Sequence, residues 1–269
     1  MPHNIYGIII LVIKMEKVLL FFSGGNDSTL SACKLASRGY DVHLITFDNG
    51  CEEGIENVRN RATILERLFA KSTVGKVRNL GVFQSVSEFM ALRHESANMP
   101  FSKIVSCYGD FNQNQLNCLN CRSAMYVVGV VVAKELGISH IAEGARKTQL
   151  FALEQEELLE GYRSLLNQYD IDLLLPVYDY ESDYEVENEL NQYSTHFYDS
   201  LYDETTSYEA KCWLGTPMDG PLTKEEINGY SKFYQEVLRP VMRKRIEMYP
   251  TYPIQEQLDH PVYTKIKFR

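Results

Sequence analysis

The stretch KVLLFFSGGNDST, residues 17–29, decides the fold that we predict for this chain. Residues 18–22 form a short, continuous apolar run, which is typical of a strand buried on both faces of a parallel sheet. Gly24 and Gly25 follow at once and allow a sharp turn that brings backbone N–H groups close to a ligand. Residues 27–29, Asp-Ser-Thr, suit the start of a helix. A strand, a glycine turn and a helix N-terminus together predict an anion site.

Apolar runs and helical periodicities alternate after this stretch. The alternation predicts a doubly wound parallel α/β sheet with helices on both faces. Strands are predicted at 42–47, 77–82, 138–142 and 171–177, and helices at 28–38, 55–69, 85–97 and 124–136. We expect an irregular loop over 98–123, which is polar and rich in Asn and Gln, and a solvated acidic helix over 149–169. The composition changes near 178, so we predict a nucleotide-binding domain over 1–177 and a mainly helical C-terminal region over 178–269.

Composition limits the choice of partners and compartment. The chain has 269 residues and a formal net charge of −9, which gives no overall attraction for nucleic acid. A tRNA partner would need a local basic patch, such as the one at 239–245. The apolar run at 8–13 is too short to span a membrane. We therefore expect a cytoplasmic protein without a membrane partner, in which six cysteines indicate thiol, metal or cluster chemistry rather than disulfides.

The sequence SGGNDS at 23–28 closely resembles the pyrophosphate loop of the ATP pyrophosphatase (PP-loop) superfamily. Neither a Walker pattern nor a GxGxxG pattern is present. The resemblance implies the adenine nucleotide alpha hydrolase-like fold, and enzymes that cut ATP between its α and β phosphates and pass AMP to a substrate oxygen. It implies ATP and Mg²⁺ as ligands, with Asp27 as the catalytic, Mg²⁺-positioning residue. The implied phosphate contacts are Ser23, Gly24, Gly25, Asp27, Ser28 and Thr29.

Two further strand ends are expected to complete the ATP site. In PP-loop relatives the end of the second strand contacts the adenosine, which points to Phe47 and Asp48 here. Asp48 also suits a simple turn aspartate. After the strand at 138–142, Gly144 would let the chain approach AMP, and Arg146 or Lys147 could meet a phosphate. The alternative for these two cations is a solvated helix start.

The cysteines suggest a reaction but leave its chemistry open. A PP-loop, then the CxxC pair Cys118 and Cys121, then a distant Cys212, resembles the order in PP-loop tRNA thiolases. One type of thiolase holds a [4Fe–4S] cluster with three cysteines, which implies these three residues here. A second type uses a persulfide and a disulfide instead. Cys107 is a candidate fourth ligand, and with it the run also resembles the zinc site of 7-cyano-7-deazaguanine synthase. The remaining alternative is a pair of packing cysteines.

We therefore expect ATP-dependent adenylation of a carbonyl followed by sulfur transfer, on tRNA or a small molecule, with a sulfur-carrier protein as a further partner. An amide- or nitrile-forming ligase with structural zinc is the first alternative. A non-catalytic adenine-nucleotide-binding module is the second. The sequence is also compatible with a homodimer.

Overall fold

The computed structural model describes residues 15–96, 100–109, 113–149, 151–193, 211–212 and 222–248. For 51–53, 113 and 211–212 it describes the backbone without the side chains. The apolar run at 8–13 lies outside the described residues.

Five parallel strands form the central sheet, in the order β4-β2-β1-β5-β6. A separate antiparallel pair joins β3 to β7 and sets Cys51 opposite Cys212. The strands are β1 (Lys17–Phe21), β2 (Asp41–Asp48), β3 (Cys51–Glu53), β4 (Lys76–Gln84), β5 (His140–Ala142), β6 (Asp172–Leu174) and β7 (Lys211–Cys212).

The described helices include short irregular segments besides the α-helices. A π-helical segment (Tyr234–Leu238) joins the last two helices, and 3₁₀ turns lie on either side of α6 (Ala152–Glu154 and Asn167–Tyr169). The α-helices are α1 (Asn26–Ser37), α2 (Ile55–Phe69), α3 (Val86–Ser96), α4 (Phe101–Tyr108), α5 (Gln113–Leu136), α6 (Glu156–Leu166), α7 (Asp183–Tyr193), α8 (Lys224–Phe233) and α9 (Arg239–Met248).

Alternate side chains of β1 enter two different cores, one on each face of the sheet. Leu19 and Phe21 pack with buried residues of α3, α5, α6, α8 and α9. Val18, Leu20 and Phe22 pack with residues of α1, α2 and α7. A strand covered on both sides must be apolar throughout, as the sequence pattern indicated. The predicted doubly wound α/β fold with helices on both faces is therefore confirmed, and the described residues after 178 are mainly helical.

The strand order places a topological switch beside β1. The chain runs from β1 through β2 to β4 on one side, and then returns to β5 and β6 on the other. Ligands of open α/β sheets bind outside the carboxyl ends of the strands at such a point. Ser23 follows β1 and Glu143 follows β5, so both lie at this position.

The prediction of an irregular loop over 98–123 is wrong, because α4 and the first turns of α5 occupy most of this segment. Leu116 and Leu119 of this segment are buried in the core. The amide of Asn120 is buried but satisfied: its Nδ2 donates to the Leu116 carbonyl at 2.8 Å, and its Oδ1 accepts from the Ser96 hydroxyl at 2.8 Å. Polar composition suggested a loop, but these partners let polar residues sit inside a packed helix.

Helix α5 is long and apolar enough to cross a membrane by length and composition alone. However, 78% of its most apolar window is buried inside the protein. Such burial is the behaviour of a core helix. The division into domains over 1–177 and 178–269 stays a prediction.

Candidate functional site

A cavity of about 300 Å³ opens where β1, β2 and β5 end. Such a volume is in the range of small-molecule and cofactor sites. Its walls come from the turn after β1, the end of β2, the middle of α5 and the segment after β5. The lining residues are Phe21, Phe22, Ser23, Asp27, Ser28, Thr46, Phe47, Asn49, Cys121, Arg122, Met125, Glu143, Gly144, Ala145, Gln149 and Glu154.

The glycine turn after β1 is held by its own hydrogen bonds. Gly24 has a φ of +83°, a left-handed conformation that suits glycine. The Gly25 N–H donates to the Ser23 hydroxyl at 3.2 Å, and the Ser23 and Ser28 hydroxyl oxygens lie 3.2 Å apart. The Gly25 carbonyl accepts from the Thr29 hydroxyl at 2.7 Å. Ser23 and Ser28 therefore face the cavity, whereas the fully buried Thr29 braces the turn from within.

Asp27 faces the cavity from the first turn of α1 and contacts two donors. Its carboxylate lies 2.9 Å from Arg146 Nε and accepts from Gln149 Nε2 at 2.8 Å. Arg146 is buried and also pairs with Asp183 of α7. Lys147 points the other way, with its ammonium 3.4 Å from Asp179. Of the two cations that the sequence offered, Arg146 is thus the one beside the loop.

Gly144 lies directly against the first turn of α1. A Cβ at this position would come within 2.7 Å of the Ser28 nitrogen and 2.9 Å of the Asp27 carbonyl carbon. Real Cβ atoms essentially never lie so close to backbone. The glycine therefore lets β5 and α1 share one cavity wall.

Gly144→Ala should weaken ATP binding roughly tenfold or more and destabilise the fold by about 1–3 kcal/mol, because the added methyl must push the α1 backbone away. Calorimetry with ATP and thermal unfolding check both effects. Gly109→Ala is the control for ATP affinity: a Cβ there would have no neighbour within 4 Å, and because its φ of +115° disfavours any side chain, this variant should lose stability without losing ATP affinity. A Gly144 variant with unchanged ATP affinity would show that this contact does not shape the site.

The end of β2 supplies one of the two predicted adenosine contacts to the cavity wall. Phe47 lines it and packs edge-on against Phe21, with ring centroids 5.1 Å apart. The Asp48 carboxylate accepts from the Gly50 N–H at 3.0 Å and from Gln84 Nε2 at 2.9 Å. These contacts are those of a turn aspartate. The next residue, Asn49, lines the cavity.

Cys121 brings a thiol to the same cavity. It lies one turn after Cys118 on α5, and its sulfur accepts from Asn49 Nδ2 at 2.6 Å. Cys107 is exposed on α4. Among the side chains that the structure describes, no three His, Cys, Asp or Glu residues lie close enough together to hold a metal ion. Cys107, Cys118 and Cys121 are among the side chains described. The side chain of Cys212 lies outside the described part, and its backbone pairs with Cys51, so the predicted ligand set stays a prediction.

Buried charges close the cavity beside Cys121. Arg122 pairs with Glu143 and lies 3.8 Å from Glu154. Burial raises the pKa of Glu154 to about 8, because desolvation of its carboxylate outweighs the attraction of Arg122. Sequence reasoning missed this group. Glu154 was expected on a solvated helix face and is 6% exposed, so that expectation is wrong. The only signal in the sequence for this group of buried charges was the position of Glu143 directly after β5.

Comparisons with known proteins add little to this geometry. A family model described as a family of unknown function (DUF7411) matches residues 15–90, which span β1 to the start of α3. A search of curated proteins gave no match. The chain is similar to a solved structure described as a predicted subunit of tRNA methyltransferase from Methanocaldococcus jannaschii. The two share 17% identity over 66% of this chain and 76% of that one, with a TM-score of 0.42. A likeness at this level carries no inference about activity.

Proposed function

We propose that this protein is a PP-loop ATP pyrophosphatase that adenylates a carbonyl oxygen of its acceptor and then replaces that oxygen with sulfur. One observation carries the proposal. A single cavity is lined both by the loop residues Ser23, Asp27 and Ser28 and by the thiol of Cys121. ATP activates the carbonyl oxygen and sulfur then attacks the carbon that bears it, so the two sets of groups need to share one space.

The residues present fit a nucleotide. The backbone of the glycine turn, the Ser23 and Ser28 hydroxyls and the N-terminus of α1 would hold the outer phosphates. Phe47 would contact the adenine at the other end of the cavity. Asp27 would hold Mg²⁺, which prefers carboxylate and phosphate oxygens. Arg146, which lies 2.9 Å from Asp27, would then turn from that carboxylate to a phosphate.

The first step makes a leaving group of a carbonyl oxygen. The acceptor oxygen attacks the α-phosphorus, a P–O bond to it forms, and the bond to the departing pyrophosphate breaks. The loop stabilises the charge that builds on the pyrophosphate, which is an electrostatic task for fixed donors. The acceptor now carries AMP on its oxygen.

The second step uses the thiol. A persulfide on Cys121, loaded by a sulfur-carrier protein, attacks the activated carbon, and AMP leaves with the oxygen. A second cysteine, Cys118 or Cys212, then attacks the Cys121 sulfur, which forms a disulfide and leaves the outer sulfur on the product. A dithiol reductant returns both cysteines to thiols. A thiol donor pool of this kind is present in the cytoplasm, where we place the protein.

A cluster is the second way to deliver sulfur, and the spacing of Cys118 and Cys121 on one face of α5 fits two of its ligands. With Cys212 as third ligand these residues would hold a [4Fe–4S] cluster, whose open iron supplies a site for sulfide. Iron and labile sulfide measured after anaerobic purification separate the two routes. A tRNA base and a small amide-type carbonyl are both acceptors of the required chemistry.

Product analysis tests the proposal. The protein is incubated anaerobically with labelled ATP, Mg²⁺ and cysteine persulfide as the sulfur donor, with and without total tRNA. We expect AMP and pyrophosphate in equal amounts, and tRNA dependence identifies the acceptor class. A requirement for ammonia in place of the persulfide donor would favour an amide-forming ligase. Formation of ADP, or ATP that is bound but never cleaved, would overturn the proposal.

A further inference from the structure

We infer that Arg61, on α2, is the positioning residue that holds the pyrophosphate loop in the shape that binds the outer phosphates. The inference rests on the proposed function and adds a residue to its site. The loop itself contains no lysine or arginine between Ser23 and Thr29. A Walker-type loop carries such a lysine within its own sequence. Here the structure brings a cation to the loop from a different helix.

The guanidinium of Arg61 bridges two points of the glycine turn. Its Nη1 donates to the Gly24 carbonyl at 3.0 Å, and its Nη2 donates to Asn26 Oδ1 at 2.8 Å. Arg61 is only 3% exposed, so these bonds are shielded from water. The two acceptors orient the plane of the guanidinium relative to the loop.

This bridge depends on the shape of arginine. A guanidinium is planar and presents a rigid fork of donors, whereas a lysine ammonium is a point charge on a flexible stem. The fork fixes the Gly24 peptide, whose φ is +83°, and the first residue of α1 at the same time. A loop that is already in its binding shape loses less entropy when a ligand arrives.

Arg61 and Arg146 approach the loop from different elements and meet different partners. Arg146 lies beside the carboxylates of Asp27 and Asp183. Arg61 contacts the turn formed by Gly24 and Asn26, where the outer phosphates are proposed to bind. Arg61 should therefore matter for ligands that carry a pyrophosphate and not for AMP.

Calorimetry with magnesium pyrophosphate, magnesium ATP and AMP tests this selectivity. We expect Arg61→Gln to weaken the two pyrophosphate-bearing ligands by roughly 10- to 100-fold and to leave AMP within about twofold, as for loss of a charged hydrogen-bonding partner. Arg61→Lys should fall between, because it keeps the charge but not the fork. Arg59→Gln is the matched control, since Arg59 lies on the same helix and pairs with Glu56 near the surface.

Asn26→Ala removes one half of the bridge without altering α2, so it answers the question if Arg61→Gln does not fold. We expect a severalfold loss of pyrophosphate affinity for this variant. Equal losses for AMP and pyrophosphate, or full pyrophosphate affinity in the Arg61 and Asn26 variants, would overturn the inference. A wild-type protein that binds neither ATP nor pyrophosphate would instead reject the proposed function.

Discussion

Replacing Asp27 by alanine or asparagine should lower pyrophosphate release by about a thousandfold, since the loss of one electrostatic group at a reacting centre has effects of that size. Asp27 is the carboxylate of the SGGNDS loop and faces the cavity. Without it, Mg²⁺ loses its proposed protein ligand. The fold should survive, because Arg146 keeps its pair with Asp183. A coupled pyrophosphate assay and a thermal unfolding curve measure the two effects.

Asp183→Asn is the matched control for this experiment. It removes the other carboxylate from Arg146, and the Asp183 side chain, on α7, is 81% exposed. We expect this variant to release pyrophosphate within about threefold of the wild type, as for most exposed ion pairs. Normal release from the Asp27 variants would reject the assignment of the active site.

Cys121→Ala should lower formation of the sulfur-containing product by about a thousandfold or more, while adenylation and pyrophosphate release continue. The thiol is the nucleophile of the second step, in which AMP leaves, and takes no part in the first. Incorporation of labelled sulfur from the persulfide donor and release of pyrophosphate, followed in the same reaction, separate the two steps. Loss of both steps together would indicate that Cys121 shapes the cavity instead of carrying sulfur.

Cys107→Ser is the control for Cys121→Ala. Cys107 is exposed on α4, so the protein carrying this substitution should transfer sulfur at the normal rate.

Cys118→Ala adds a test of the metal route. It should remove iron and chromophore if a cluster is present, and full retention of metal would reject Cys118 as a ligand. Wild-type sulfur transfer by Cys121→Ala would contradict the proposed chemistry.

The fold was predictable where the signal is local. The apolar run of β1 and the two glycines after it lie next to each other in sequence, so the strand and turn could be inferred from adjacent residues. Gly144 was likewise visible as a glycine at a strand end. Its role in letting β5 approach α1, however, depends on how two distant segments pack.

The missed features depend on contacts that sequence patterns do not record. Apolar periodicity shows which face of a helix is buried, but not which polar side chain is buried with it. Arg61 lies among apolar positions of α2 yet reaches a loop 35 residues earlier. Glu154 belongs to an acidic stretch yet enters the cavity beside Arg122. Asn120 stays helical because Ser96 satisfies its amide.

A crystal structure with magnesium and an ATP analogue that resists cleavage between its α and β phosphates tests the central claim most directly. The account predicts the outer two phosphates against the backbone of Gly24 and Gly25, with Mg²⁺ on Asp27 and the α-phosphate facing the space beside Cys121. An empty glycine turn, or a nucleotide bound with its triphosphate elsewhere, would contradict it.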